Sequence, residues 1–350
     1  MTSDAVSADA SSADAATRDA EPGGGPQHAE APLYDVAIVG AGPGGLSAAL
    51  NLVRARRRTI VLDGNRPRNA ATFHSHGFIT RDGVSPLELR KLAREELGEY
   101  PHYEYHQTMV VSISRAPDGF LVQTKGPGLT RSEYLARSIV IATGVAETMP
   151  ALPTLRAFYG TSIHSCIECD GYEERDKRIA ILGDTDDLAE RAILASQWSD
   201  DVIVFTGSRG GVTGAEEAAL AERGIRVDRR GVVDVVGDRT GLTGILLDTG
   251  EIVPRGAAFV RPVYEPRLDY LDALGLARAA DGYLAVDADG RTSLAGVYAA
   301  GDSATPGPRQ LIVAAGQGAR VSSALNRDLL DSAKAPATST DPLTVSVSRV

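Results

Sequence analysis

The chain has 350 residues, of which 43% are hydrophobic and 37 are glycine, a composition typical of an α/β protein with more than one hydrophobic core. Its formal net charge of −10 argues against nucleic acid as a partner, since nucleic-acid-binding domains present basic surfaces. No run of about 18 consecutive apolar residues occurs, so the sequence predicts no transmembrane helix and no membrane partner.

The two ends of the chain differ in composition from the rest. Residues 1–31 are rich in Ala, Ser, Asp and Gly, with one Arg against six Asp or Glu, and they have neither the basic start nor the apolar core of a secretory signal. We therefore expect a disordered tail and a cytoplasmic protein. Residues 332–350, which contain Pro, Ser and Thr, are predicted to form a second flexible tail, in which Leu343–Val347 could pair as a short strand.

A glycine-rich turn follows the first predicted strand. The β-branched run Tyr34–Val39 is typical of a buried parallel strand, and it leads directly into Gly40–Gly45, with the sequence Gly-Ala-Gly-Pro-Gly-Gly. A helix is predicted over Leu46–Arg57 and a second strand over Thr59–Leu62. The second strand ends at Asp63, about 20 residues beyond the glycines, as in a dinucleotide-binding unit.

Each residue of this turn has a physical role in binding a dinucleotide. Gly40 would make the tight turn, Gly42 with Pro43 would let the backbone approach a pyrophosphate, and Gly45 would let helix and strand pack closely. Asp63 would accept hydrogen bonds from the ribose hydroxyls. A bare glycine turn is the alternative, but the strand, the helix and the terminal acid around it favour dinucleotide binding.

The chain has two cysteines, Cys166 and Cys169, in a C-x-x-C motif. Cells keep thiols reduced, so two cysteines at this spacing favour a redox dithiol over a structural disulfide. Half of a zinc site and two unconnected small hydrophobic residues are the alternatives, although no second C-x-x-C supplies further metal ligands. A helix starting near Cys169 would lower the pKa of a thiolate, and Asp170 could carry a proton for the sulfurs.

Two later segments resemble the paired signatures of flavoproteins that bind two dinucleotides. These are Ser138–Gly144, which ends in Ala-Thr-Gly, and Gly296–Asp302, which ends in Ala-Gly-Asp. The resemblance implies FAD as the cofactor, with Asp302 bonding the ribityl chain. It also implies that the helix predicted over Leu311–Asn326 aims its N-terminus at the isoalloxazine ring.

The C-x-x-C segment, together with Arg309-Gln310 and the Ala-Gly-Asp segment, resembles the low-molecular-weight thioredoxin reductase family across roughly residues 33–331. The resemblance implies that Cys169 lies against the flavin, that Cys166 faces the substrate, and that Asp170 is the acid or base. It also implies a homodimer. The FAD contacts that we predict from the glycine turn and from the resemblance are Gly40, Gly42, Pro43, Gly45, Asp63, Gly144, Gly301, Asp302, Gln310 and Leu311.

The family's architecture implies an α/β fold of two Rossmann-like three-layer domains. The FAD domain would be discontinuous, formed by residues 32–149 and 265–331. The inserted domain, residues 150–264, would carry both cysteines and would have the form of a degenerate pyridine-nucleotide domain.

The inserted domain departs from the pattern of NADPH-binding relatives at three places. After the predicted strand Lys177–Leu182, the segment Gly183–Leu188 has three aspartates and a threonine where relatives have further glycines, and these acids would repel a pyrophosphate. Thr206–Ser208 replaces the His and Arg residues that hold the 2'-phosphate, and Phe259–Val263 replaces a glycine-bearing segment. We therefore expect the fold without NADPH binding.

The segments Arg66–Asn69 and His76–Gly83 resemble thioredoxin-reductase-like dithiol oxidases, which close disulfides in sulfur-containing natural products such as gliotoxin and holomycin. These enzymes pass electrons from a dithiol to FAD and then to oxygen. Many of them carry His where this chain has Asp170, so the proton carrier is an open question. Three histidines could assist, although a structural hydrogen-bonding role is the simpler interpretation of each: His74, His76 and His164.

The favoured hypothesis is therefore an FAD-dependent oxidase of a small-molecule natural-product dithiol that works through the C-x-x-C disulfide and yields hydrogen peroxide from oxygen. One alternative is a disulfide reductase of the thioredoxin reductase type, fed by NADPH or by ferredoxin. A second alternative is a flavoprotein that senses redox state without turnover.

Overall fold

The computed structural model describes residues 33–207, 211–304 and 307–334. Most of the two predicted tails, including the candidate strand Leu343–Val347, lies outside these ranges. Within them, no helix is long and apolar enough to cross a membrane.

The described elements alternate between strands and helices along much of the chain. The strands are β1 (Leu33–Val39), β2 (Thr59–Asp63), β3 (Tyr103–Gln107), β4 (Met109–Ala116), β5 (Gly119–Lys125), β6 (Arg131–Ile141), β7 (Ala146–Thr148), β8 (Ile163–His164), β9 (Ile179–Leu182), β10 (Val202–Phe205), β11 (Arg226–Asp228), β12 (Val232–Asp238), β13 (Gly241–Leu247), β14 (Ile252–Pro254), β15 (Ala257–Val260), β16 (Val263–Glu265) and β17 (Val297–Ala299). The helices are α1 (Pro43–Arg54), α2 (Pro86–Gly98), α3 (Leu155–Phe158), α4 (Ile167–Asp170), α5 (Leu188–Ala195), α6 (Gly214–Ala221) and α7 (Leu311–Lys334).

The first sheet has seven strands in the order β3-β2-β1-β6-β5-β4, with β17 parallel to the last part of β6. Strands β3, β2, β1 and β6 are mutually parallel, whereas β4 and β5 are antiparallel additions. Because β17 comes from residues 297–299, the first unit is built from two separate stretches of the chain. Helices α1 and α7 cover one face of this sheet, where their apolar residues form a common core with β1 and β2.

The second sheet has five parallel strands in the order β11-β10-β9-β15-β8, and it lies between the two stretches of the first unit in sequence. Helix α5 packs on one face of it, and the antiparallel sheet β12-β13-β14 contributes to the core on the other. The short antiparallel pair β7 and β16 connects the units. The predicted class, two Rossmann-like units with a discontinuous first one, is confirmed. The boundary numbers 149/150 and 264/265 stay predictions.

The two helices for which the sequence predicts both ends have different bounds in the structure. Helix α1 begins at Pro43 because proline suits the first turn of a helix, and it ends at Arg54, shortly before Arg56 adopts a left-handed backbone. Helix α7 continues past the predicted end at Asn326 to Lys334, because Leu329 still packs on the first core. Residues 332–334 are therefore helical and not part of a tail.

Helices α1 and α7 approach each other through glycine. A Cβ atom built on Gly318 of α7 would overlap the carbonyl oxygen of Gly44 in α1, whereas a Cβ atom on Gly316 of the same helix would meet nothing within 4 Å. The contact between backbones brings the start of α7 beside the glycine turn.

We expect Gly318→Ala to destabilise the protein by about 1–3 kcal/mol, since backbone atoms cannot yield as a flexible side chain can. Gly316→Ala is the matched control in the same helix, and it should stabilise by about 0.5–1 kcal/mol because alanine loses less conformational entropy on folding. Urea unfolding of the two variants measures both changes. Equal stabilities would show that the contact between α1 and α7 is not tight.

Candidate active site

Cys166 and Cys169 form a disulfide with a Cα–Cα distance of 5.3 Å. The bond excludes the two alternatives of a half zinc site and of unconnected cysteines in this state. Helix α4 begins directly after Cys166, whose Sγ accepts a hydrogen bond from the Cys169 amide at 3.2 Å. The prediction of a helix starting near Cys169 was therefore wrong by two residues, and it is Cys166 that caps the helix.

A groove of about 470 Å³ runs across the carboxyl ends of β1, β2 and β6. The carboxyl edge of parallel strands is where α/β folds bind nucleotides. The predicted cofactor residues that line it are Gly40, Gly42, Pro43, Asp63, Gly144, Gly301, Asp302, Gln310 and Leu311. Gly45 does not line the groove, because it faces the carbonyl of Gly40, where a Cβ atom would overlap the backbone.

The glycine turn fits a bound diphosphate. Gly40 has a φ of +104°, and a side chain there would also collide with Ala142. A Cβ atom on Gly42 would meet nothing within 4 Å, so the space in front of this residue is open towards the groove. The N-terminus of α1 follows immediately, and unpaired amides at a helix start favour an anion. The residues present therefore fit a dinucleotide.

Asp63 lies in the groove wall and already holds several donors. Its carboxylate accepts the amides of Ala41 and Asn65, each at 3.0 Å, and the guanidinium of Arg90 at 2.7 Å. Arg90 is buried in α2 and also donates to the Ala41 carbonyl at 3.1 Å. The structure thus adds Arg90 as a residue that ties the predicted ribose acid to the glycine turn.

Asp302 is a second carboxylate that lines the groove. Burial raises the pKa of its carboxyl group, although the Arg68 guanidinium at 3.2 Å opposes that shift. Arg68 also lies 3.9 Å from Glu147, whose pKa is raised by burial. Arg68 therefore joins the Ala-Gly-Asp segment to β7, the strand that leads into the second unit.

The disulfide lies in a small cavity of about 80 Å³ that adjoins the groove. The cavity and the groove share five lining residues, which are Arg68, Asn69, Arg309, Gln310 and Leu311. The Gln310 amide donates to Glu168, between the two cysteines, at 3.4 Å. The structure thus places the redox pair at the wall of the dinucleotide groove.

Asp170 faces the same cavity as the two cysteines and is linked to a buried histidine. His164 Nδ1 lies 3.3 Å from Asp170 Oδ1, and His164 Nε2 lies 3.3 Å from Glu174 Oε1. Glu174 also accepts from Lys177 Nζ at 2.6 Å. Burial would lower the pKa of His164, but the two carboxylates outweigh burial and raise it to about 9. His164, which sequence reasoning ranked only as a possible helper, is thus held as an imidazolium.

The two other candidate histidines lie in the loop before α2 and line the cavity as well. His74 Nδ1 is 3.0 Å from the Gly83 carbonyl, while the ring of His76 lies 3.5 Å from Asp82 and 3.7 Å from Glu173. These contacts hold the loop in shape, in agreement with the structural role that the sequence favours for both.

The segment after β9 is filled by side chains of its own unit. The Cβ atom of Arg261 fills the space beside Gly183, where an added side chain would come within 2.9 Å of it. The Arg261 guanidinium forms an ion pair with Asp187 at 2.8 Å. Thr185 donates to the same Asp187 at 2.6 Å. Arg191 of α5 binds the carbonyls of Ser165 and Val260. The start of α5 is thus occupied by an ion pair and not by a glycine cradle.

Sequence reasoning missed the partners of the site residues, chiefly Arg90, Glu147, Tyr159 and Glu174. Tyr159 donates to Ser165, next to Cys166, at 3.0 Å. None of these residues forms a motif, since each meets its partner through tertiary packing. Of these four residues, Glu174 had the clearest signal in the sequence. Glu174 and Lys177 are three positions apart, a spacing at which opposite charges can pair on a helix.

Comparisons with known proteins agree with this site. Residues 34–318 match the family model of pyridine nucleotide-disulphide oxidoreductases. The crystal structure of HlmI superimposes with a TM-score of 0.79 at 35% identity, over 88% of this chain and 95% of that chain. The structure of TrxB from Bacillus anthracis, assigned as a thioredoxin reductase, gives a TM-score of 0.79 at 33% identity, over 86% of this chain and 99% of that chain.

A protein assigned as a thioredoxin reductase in Arthroderma benhamiae is 33% identical over 187 residues, which are 52% of this chain but only 44% of that protein. The predicted resemblance is confirmed by the family match and by the two structures. The chain belongs to the pyridine nucleotide-disulphide oxidoreductase family of flavoproteins and is a thioredoxin-reductase-like oxidoreductase.

Proposed function

We propose that this protein is an FAD-dependent dithiol oxidase that closes a disulfide in a small-molecule dithiol, with oxygen as the electron acceptor. The observation that carries the proposal is the shared wall between the disulfide cavity and the dinucleotide groove. The second observation is the Asp187–Arg261 pair at the start of α5, which leaves the usual source of electrons, NADPH, without a cradle.

FAD is the cofactor that the groove would hold. Gly40, Gly42 and the start of α1 would bind its pyrophosphate, Asp63 its ribose, and Asp302 its ribityl chain. When bound, FAD would take two electrons and two protons from the cysteines and pass them to oxygen, giving hydrogen peroxide. The protein's own part is to open and re-form the disulfide beside that cofactor.

The disulfide exchange balances without any further reagent. One substrate thiol attacks Cys166 Sγ, the Cys166–Cys169 bond breaks, and Cys169 leaves as a thiolate. The second substrate thiol then attacks the mixed disulfide and releases Cys166. The substrate has lost two electrons and two protons, and the enzyme has gained a dithiol.

The substrate class follows from the size of the site. The cavity beside the cysteines measures about 80 Å³, so it would admit the two sulfurs and their nearest atoms. A compact dithiol in which both thiols can reach one sulfur fits this shape. A homodimer and a cytoplasmic location stay predictions from the sequence.

The choice of electron source can be tested under anaerobic conditions. We expect a small dithiol to bleach the visible flavin band of the purified protein within seconds, whereas NADPH leaves the band unchanged because its site is filled. Dithionite is the control, since it should bleach the flavin in any case. Fast bleaching by NADPH would instead support a reductase, and bleaching by reduced ferredoxin alone would support a ferredoxin-fed one.

The two cysteines can be distinguished by substitution. If Cys169 is the sulfur next to the flavin, Cys166→Ser should leave a lone thiolate there and give a long-wavelength charge-transfer band that disappears on acidification. Cys169→Ser should give no such band. Either variant should lose dithiol oxidation while keeping its FAD, since no cysteine lies in the glycine turn.

Absorption spectra and oxygen-consumption rates of the two variants supply the measurement. The appearance of the band in Cys169→Ser would reverse the two roles. Substantial dithiol oxidation by either variant would remove the disulfide from the mechanism.

A further inference from the structure

Asp170 belongs to a largely buried ionic cluster that the proposed mechanism does not use. It consists of Asp170, His164, Glu174 and Lys177, which come from β8, from α4 and from the turn after it. We propose that His164 and Glu174 are positioning residues that hold the Asp170 carboxylate oriented beside the cysteine pair, so that it can accept the proton of the substrate thiol. This inference rests on the proposed dithiol oxidation.

The geometry fixes the protonation state of the histidine. Both ring nitrogens of His164 lie 3.3 Å from a carboxylate oxygen, and an ionised carboxylate can only accept hydrogen bonds. The two carboxylates raise the pKa of His164 to about 9, so the ring carries hydrogen on both nitrogens and is an imidazolium at neutral pH. With two carboxylates, one imidazolium and one ammonium, the cluster has no net charge.

Three of the four side chains of this cluster are largely buried. The side chain of His164 is 8% exposed and that of Glu174 is 4% exposed, while Asp170 is 14% exposed and reaches the cavity. The ring of Phe259 lies beside the imidazole, with ring centroids 6.0 Å apart. A buried charge without its partner is costly, so the imidazolium and the two carboxylates constrain one another.

Lys177 differs from the other members because its side chain is 45% exposed. Exposed ion pairs contribute little to stability. We therefore regard Lys177 as the outer end of the cluster, and its removal serves as a control.

Other polar or titratable side chains face the same cavity and bear on any pH dependence. They come from the loop before α2, from the segment before β8 and from the segment before α7, and they are Arg68, His74, His76, Tyr159 and Arg309. Arg191 approaches from α5 through the Ser165 carbonyl. Burial raises the pKa of Tyr159, which keeps that phenol neutral.

The proposed step has a defined proton path. Asp170 takes the proton of the first substrate thiol while that sulfur attacks Cys166 and Cys169 leaves as a thiolate. When the second substrate sulfur displaces Cys166, Asp170 returns the first proton to the Cys166 thiolate, and the proton of the second substrate thiol goes to the Cys169 thiolate, so that the enzyme holds two thiols. Throughout, the imidazolium of His164 keeps one Asp170 oxygen occupied, so that the other is directed to the cavity.

The test replaces His164 by Gln, which keeps amide donors but removes the charge. Gln cannot carry the imidazolium charge, so His164→Gln should remove the alkaline limb of dithiol-driven flavin reduction, which in the wild type follows the loss of that charge near pH 9. Glu174→Gln should instead lower the pKa of His164, and the alkaline limit near pH 9 should move downward. Lys177→Ala should shift this limb by less than either of these variants, because the Lys177 ammonium is partly exposed to water and does not contact the imidazole.

A second readout does not depend on turnover. In the Cys166→Ser background, the pH dependence of Cys169 alkylation by iodoacetamide reports its thiolate pKa. Adding His164→Gln should raise that pKa, whereas adding Lys177→Ala should not. FAD content and circular dichroism of each variant show whether it has folded, and Glu174→Gln, which conserves volume, takes over if His164→Gln fails to fold.

An unchanged alkaline limb in both His164→Gln and Glu174→Gln would overturn the inference, as would a shift in Lys177→Ala equal to that in Glu174→Gln. The failure of the proposed function looks different, because the wild-type flavin would then not be reduced by any dithiol. The alkylation experiment would still test the cluster in that case.

Discussion

The wall shared by the disulfide cavity and the dinucleotide groove is held by contacts between the two Rossmann-like units. Strand β7 pairs with β16, the Arg309 guanidinium lies 4.1 Å from the centre of the Tyr264 ring, and Gln310 binds Glu168. The orientation of the second unit therefore sets where the disulfide lies relative to the groove. The second sheet therefore supports the short helix α4, whose start carries the disulfide.

Charges near the site occur in pairs that are at least partly buried, and two of these pairs join residues far apart in sequence. Arg90 neutralises Asp63, Arg68 neutralises Asp302, and His164 lies between two carboxylates. Breaking a buried pair leaves an uncompensated charge, which costs several kcal/mol (about 3–5). The same pairs thus connect local chemistry to the stability of the fold, and they restrict which residues can be changed without loss of structure.

The local features of this site could be predicted from the sequence, because glycine turns and the C-x-x-C spacing act through the backbone. Gly40 and Gly42 have the geometry that such turns require. The ionic partners could not be predicted in this way. Arg90 binds Asp63 across 27 positions and Arg68 binds Asp302 across 234, distances at which no periodicity or spacing rule applies.

The ion pair between Asp187 and Arg261 bears on how much NADPH the cell would consume. An enzyme that took electrons from NADPH and delivered them to oxygen would oxidise NADPH without forming a disulfide product. If the protein is the proposed dithiol oxidase, the occupied start of α5 would keep NADPH from reducing its flavin. Only a molecule whose two thiols reach Cys166 could then reduce the flavin. The protein would not use NADPH to reduce the disulfide of its product again.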